Sequence, residues 1–220
     1  MSPSAKLNPS RIDQARLAGI ETAMPIAAPD GVWPTEVLLF TQIPVEEAIE
    51  LQRAAAAAML SGTAPGHRLI VTEHPPTASD DGVYLPGMLT AWATMHTEHS
   101  AAGAGAIGRQ LMELAEQLIK RFGIEAKAED AEDGTLVLRS AEGLQIASGS
   151  YFLAGPIALA RLSIFTNVDP QQLAEAGVSG AASMTDLGMP LERQAEVRTV
   201  LLDLYESIFQ SKPEIPQRTG

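Results

Sequence analysis

The sequence predicts an α+β fold in which a mixed β-sheet is flanked by helices within a single domain. Residues 45–60 and 107–122 keep apolar positions at helical spacing, while shorter apolar runs at 36–42, 68–73, 135–139, 144–148 and 159–168 read as strands. Helices and strands interleave irregularly, without the strict strand–helix–strand repeat of a doubly wound parallel sheet. The 220 residues fit one domain, and 45% hydrophobic against 19% charged residues is the balance of a folded globular protein.

Residues 1–35 read as an N-terminal arm punctuated by Pro3, Pro9, Pro25, Pro29 and Pro34, with a short helical stretch near 12–20. The domain follows over 36–210, and 211–220 form a C-terminal tail. EVLLFTQ (36–42) is a buried strand. Pro44, with Glu46 and Glu47 placed where the helix dipole favours them, opens the first helix, and Ser61-Gly62 stops it. Its apolar face is Val45, Ala48, Ile49, Ala55, Ala56, Met59 and Leu60. RLIVTE (68–73) is a strand ended by His74-Pro75-Pro76, because proline cannot donate to a ladder. Residues 83–92 are extended around the turn Pro86-Gly87. A Gly/Ala-rich stretch, 100–106, then leads into the clearest helix. There Ile107, Leu111, Leu114, Ala115, Leu118, Ile119 and Phe122 share a face, Lys120 and Arg121 sit in the last turn, and Gly123 closes it. Residues 135–139 and 144–148 form a hairpin around Ser140-Ala141-Glu142-Gly143; a strand at 159–168, a short helix at 170–176 and a last helix at 191–209 complete the chain.

The chain has no cysteine, which excludes disulfides, thiolate metal sites and a cysteine nucleophile. Its formal charge of −12, with Lys and Arg scattered, disfavours nucleic acid and anionic membranes as partners. No apolar run approaches the roughly 20 residues needed to cross a bilayer. The first residues lack a secretory pattern, so a cytoplasmic location is expected.

Several segments fall in a recognisable order. Glu47-Ala48 and Gln52 lie on the first helix; IVTEHPPT (70–77) closes a strand; VYLPGML (83–89) forms a loop. QIASG (145–149), RLSIFTNVD (161–169), Val178-Ser179-Gly180 and MTDL (184–187) follow. Over about residues 36–190 this order resembles the octanoyltransferase branch of the biotin/lipoate protein ligase superfamily, whose fold is a mixed sheet flanked by helices. The Glu-His-Pro-Pro strand end is its most specific piece.

The resemblance implies an enzyme that carries an eight-carbon acyl chain on a cysteine and passes it to a lysine of a lipoyl domain. It also implies where this chain departs. Ser179 stands at the cysteine position and Gln145 at the lysine position. The loop histidine is replaced, with Leu85 nearest; the Arg-Gly-Gly segment is missing from 78–83; and Arg161-Leu162 replaces His-Gly. A serine without a base is a weak nucleophile, and a neutral amide cannot depress a neighbour's pKa. The expectation is a catalytically inactive relative that binds or regulates; the alternative is a working acyltransferase using non-standard residues or a partner chain. The ligand-cleft candidates are Glu73, His74, Tyr84, Gly87, Ala147, Ser148, Gly149 and Arg161. The expected partners are a fatty-acyl or lipoyl ligand and another protein. No cofactor and no metal are expected.

Other patterns have plainer readings. His96 and His99 have a ligand-like spacing but read as exposed loop histidines. The acidic run 129–133 lacks the spaced ligands of a calcium loop and reads as a solvated turn. Gly103, Gly105 and Gly108 match a dinucleotide fingerprint only on paper, since no strand clearly feeds them. Glu73 and His74 either face the cleft or serve the strand end structurally. Arg161 either meets a ligand carboxylate or pairs with a surface carboxylate while Met88 and Tyr84 fill the cleft.

Overall fold

Alternation in LTAWATMH (89–96) places Leu89, Ala91, Ala93 and Met95 on one side of a strand and Thr90, Trp92, Thr94 and His96 on the other. All of these are buried, because helices cover both faces of the strand that carries them, β5 (Met88–His96). The computed structural model describes residues 33–64, 66–79, 82–97, 104–130, 135–209 and 211–214.

The elements in chain order are β1 (Trp33–Gln42), α1 (Val45–Leu60), β2 (His67–Glu73), β3 (Thr77–Ser79), β4 (Gly82–Tyr84), β5, α2 (Ala104–Arg121) and β6 (Ala126–Asp130). After these come β7 (Leu136–Ser140), β8 (Gln145–Ala154), β9 (Ile157–Phe165), α3 (Pro170–Glu175), α4 (Glu196–Phe209) and β10 (Ser211–Glu214). Among the described residues, eight strands form one sheet in the order β10-β1-β2-β5-β9-β8-β7-β6, with β3-β4 a separate ribbon. The β10-β1-β2 pairs are parallel and the rest antiparallel, so the sheet is mixed.

The strands expected to share a sheet do so, and both long helices pack on it. On one face, Leu111, Leu114, Ala115 and Leu118 of α2 and Val197, Leu201 and Leu204 of α4 cluster with Leu89, Ala91, Ala160, Leu162 and Ile164. Each fully buried leucine or isoleucine there contributes about 1.5–3 kcal/mol. On the other face, α1 runs obliquely: Val45 and Ala48 meet Ile70 and Trp92, while Ala56 and Met59 meet Ile157 and Leu159. Midway, the buried Gln52 amide donates to the carbonyls of Ala93 and Ala160 on adjacent central strands, at 2.9 and 3.1 Å. That fixes the helix along its axis.

Several expectations need correction. The stretch 83–92 is extended as expected, as the end of β4, the turn at Pro86-Gly87 and the start of β5, but β5 continues to His96 and buries it to 4% exposure rather than leaving it in an exposed loop. The acidic run begins inside edge strand β6, with 131–134 outside the described residues. Gly105 and Gly108 lie within α2, and Gly108 is there because a Cβ would sit 2.6 Å from the Tyr151 ring; Gly103 is outside the described residues. The strand at 159–168 stops at Phe165, because Thr166 and Asn167 turn their N–H groups onto the Gly87 carbonyl. The last helix begins as a three-residue 3₁₀ turn, Leu191–Arg193, separate from α4. Residues 211–214, read as part of a tail, add a strand to the sheet. The arm's helical stretch near 12–20 and His99 lie outside the described residues.

Candidate functional site

The expected site residues are positioned by the β2–β3 connection, by β4 and the loop after it, and by β8 and β9. His74 leaves the end of β2 with 1% exposure. Its Nδ1 lies 2.8 Å from the Ile43 carbonyl, and the Trp92 indole donates to its Nε2 at 3.1 Å. A carbonyl only accepts and an indole N–H only donates, so the ring is neutral with the proton on Nδ1. Burial holds its pKa below the ordinary histidine value, the Ile43 bond works against this, and the Arg161 charge adds to it. Its edge meets the Tyr84 ring at 4.8 Å and the Trp92 ring at 5.7 Å. His74 therefore does structural work at the strand end. Glu73 points elsewhere, to Arg198 of α4 at 3.7 Å.

Tyr84, 1% exposed, stacks on Trp92 with centroids 6.2 Å apart. Its hydroxyl accepts from Arg161 Nη1 at 2.6 Å. The Arg161 guanidinium lies 5.8 Å from the Tyr84 ring and 5.6 Å from the Trp92 ring, a double cation–π contact. The same group is 3.3 Å from where a Cβ on Gly82 would stand. Arg161 thus holds β4 onto the sheet through Tyr84. Gly87, at φ +82°, lets two backbones meet: a Cβ would lie 2.3 Å from the Asn167 carbonyl oxygen. Its own carbonyl accepts from Thr166 N, Asn167 N and Thr166 Oγ1.

Ladder register decides which candidates share a face. Trp92, Arg161 and Ser150 lie directly opposite one another across β5, β9 and β8, and Thr90, Ser163 and Ser148 form the next row. Both rows point to the α1 side of the sheet. Ala147 and Gly149 do not: Ala147 belongs to the core under α2, and a Cβ on Gly149 would meet Met112 and Leu111. These two are corrected to the opposite face, because one residue along a strand reverses the side chain. Thr90 is fully buried, and among the described residues its hydroxyl has no hydrogen-bond partner. Thr90, Trp92 and Ser150 were missed from sequence, although the polar/apolar alternation of TAWATMH was the available signal.

The Ser179 segment lies against the start of β8. Gln145 N–H donates to the Gly180 carbonyl at 2.9 Å, Ala182 N–H donates to the Gln145 carbonyl at 3.0 Å, and Gln145 and Ala181 form a parallel bridge. Ser179 is exposed beside Gly180, whose φ is +66°. Among the described residues, no three His, Asp or Glu side chains gather closely enough to hold a metal ion.

The solved structures that share this architecture have one theme. A T. acidophilum protein described as a lipoate protein ligase, with bound lipoic acid, superposes with a TM-score of 0.64 at 14% identity, covering 84% of this chain and 90% of that one. This is the biotin/lipoate ligase fold. A bipartite lipoate protein ligase from Thermoplasma acidophilum, studied with its E2 lipoyl domain, gives 0.59 at 9% identity over 85% and 88% of the two chains. Biotin acetyl coenzyme A carboxylase synthetase from Helicobacter pylori gives 0.53 at 13% identity over 79% and 74%. No family model and no curated protein matches the sequence. A biotin/lipoate ligase fold at such low identity preserves the layout of strands and helices while site residues change freely.

Proposed function

We propose that this chain is a non-catalytic relative of the octanoyl/lipoyl-protein transferases of lipoate biosynthesis, a binding or regulatory protein whose cleft takes an acyl ligand with a free carboxylate. The pairing of Gln145 with the Gly180 segment carries this reading: the positions that the resemblance gives to lysine and cysteine stay adjacent through backbone bonds, yet bear an amide and a hydroxyl. Acyl transfer through serine needs a base, and the Gln145 amide is none. His74 cannot substitute, with both ring nitrogens engaged. The ligand class follows from Arg161, a fixed positive charge on the face that carries Thr90, Ser163 and Ser148. A lipoyl domain is the partner class that fits this lineage.

Thermal shift with octanoate, lipoate and their amides tests the binding. The acids should stabilise the protein, and the effect should vanish in Arg161→Ala; equal shifts from acids and amides would remove the carboxylate reading. Intact-mass measurement after incubation with octanoyl-acyl carrier protein should show no adduct. An octanoyl ester on Ser179 would instead establish a working acyltransferase with non-standard residues.

A further inference from the structure

On the α2 face, away from the polar rows, the helix leaves a groove of about 400 Å³ beside the outermost strand, lined by Gly108, Arg109, Met112, Glu113, Glu116 and Leu136 among others. That strand, β6, ends the sheet and, among the described residues, pairs only with β7. An edge strand presents outward N–H and C=O groups to any strand that arrives, and native proteins block such edges. Here Glu116 reaches across from α2, and its Oε1 accepts the Ala128 N–H at 2.6 Å. The Ala128 N–H is spent on this carboxylate, so it faces away from β7. It is a donor that a ninth strand would use.

The residues beside Ala128 say which strand that is. In an antiparallel pair of two β6 strands centred on Ala128, the N–H and C=O of each Ala128 would meet those of the other. Lys127 of each copy would then lie directly opposite Glu129 of the other. The edge is charge-complementary to itself in this register, whereas registers shifted by two residues would oppose Lys127 to Lys127 or Glu129 to Glu129. We infer that β6 is a latent self-pairing edge, and that Glu116 keeps a second copy of this chain off it by occupying the Ala128 N–H. The bond, rather than the −12 charge of the chain, is the specific obstacle: general repulsion falls off within a Debye length in salt, whereas the carboxylate fills the central pairing position.

Molar mass by light scattering after size exclusion, at physiological salt, reads this directly. Glu116→Ala should double the mass relative to wild type. Glu116→Gln should leave the wild-type mass, because an amide oxygen still accepts the N–H although the charge is gone. Adding Ala128→Pro or Lys127→Glu to Glu116→Ala should restore the wild-type mass, the first by removing the outward N–H and the second by opposing like charges. A Glu116→Ala protein with the wild-type mass, or a dimer that survives Ala128→Pro, overturns the inference. Hydrogen exchange on the wild type gives a check that needs no variant. The Ala128 amide should be protected despite its edge position, and exchange at the rate of an open edge overturns the role given to Glu116.

Discussion

At the scale of single residues, His74 shows how a site candidate becomes a structural fixture. The Ile43 carbonyl and the Trp92 indole together require a neutral ring, and a proton added to Nε2 would face the indole N–H donor. Because the folded pKa lies below the ordinary 6.5, the unfolded chain binds the proton more readily. The contribution of His74 to stability is therefore complete above the unfolded pKa and is lost as pH falls through the folded one. Urea unfolding between pH 7.5 and about 5 should show wild type losing stability faster than His74→Gln; parallel curves would remove His74 as the cause. Sequence alone left His74 open between cleft and scaffold, since Glu-His-Pro-Pro marks a strand end without saying what meets the ring. The decisive partner, Trp92, lies 18 residues on, and only the antiparallel pairing of β2 with β5 brings it there.

Among elements, the helices were legible and the strand boundaries less so. The 45–60 helix matches α1 in both limits because Pro44 and Ser61-Gly62 punctuate it; α2 has no such start signal and begins earlier than its apolar period suggests. The central strand was hard to identify because it is buried on both sides and carries threonine, tryptophan and histidine on one of them. Edge strand β6, AKAED, has almost no apolar content and reads as part of an acidic turn. Its place is set by α2 above it and β7 beside it. The contact of α2 with β8 depends on Gly108, where a Cβ would press on the Tyr151 ring at 2.6 Å. Two effects oppose each other at this position. Replacing a helical glycine gains about 1 kcal/mol of helix propensity when the new residue is alanine and less when it is β-branched. Overpacking costs about 1–3 kcal/mol. Gly108→Val should therefore destabilise by roughly 1–2 kcal/mol in urea unfolding, and a stabilised variant would show that Tyr151 yields freely.

For the molecule as a whole, the sheet and its covering helices follow from patterning, while the chemistry depends on residues that patterning does not constrain. The backbone frame at Gln145 and Gly180 offers a direct test of that separation. In Ser179→Cys, alkylation by iodoacetamide should follow an ordinary thiol. In Ser179→Cys with Gln145→Lys, the nearby ammonium should favour the thiolate and move the pH profile of alkylation downward. Octanoyl transfer to a lipoyl domain should stay at background in both, because Leu85 and Arg161 leave the acyl donor unpositioned. Identical alkylation profiles would mean that the two side chains diverge despite their adjacent backbones. The parallel β10-β1 pair has a different consequence, one that concerns synthesis. β1 is among the first described segments to leave the ribosome, and its outer neighbour, residues 211–214, is among the last. At typical elongation rates the roughly 170 residues between them take on the order of 10–30 s to make. Through that interval the outer N–H and C=O groups of Trp33–Glu36 lack the strand that covers them among the described residues, so the order of translation, more than the finished fold, sets when this sheet is most exposed to aggregation.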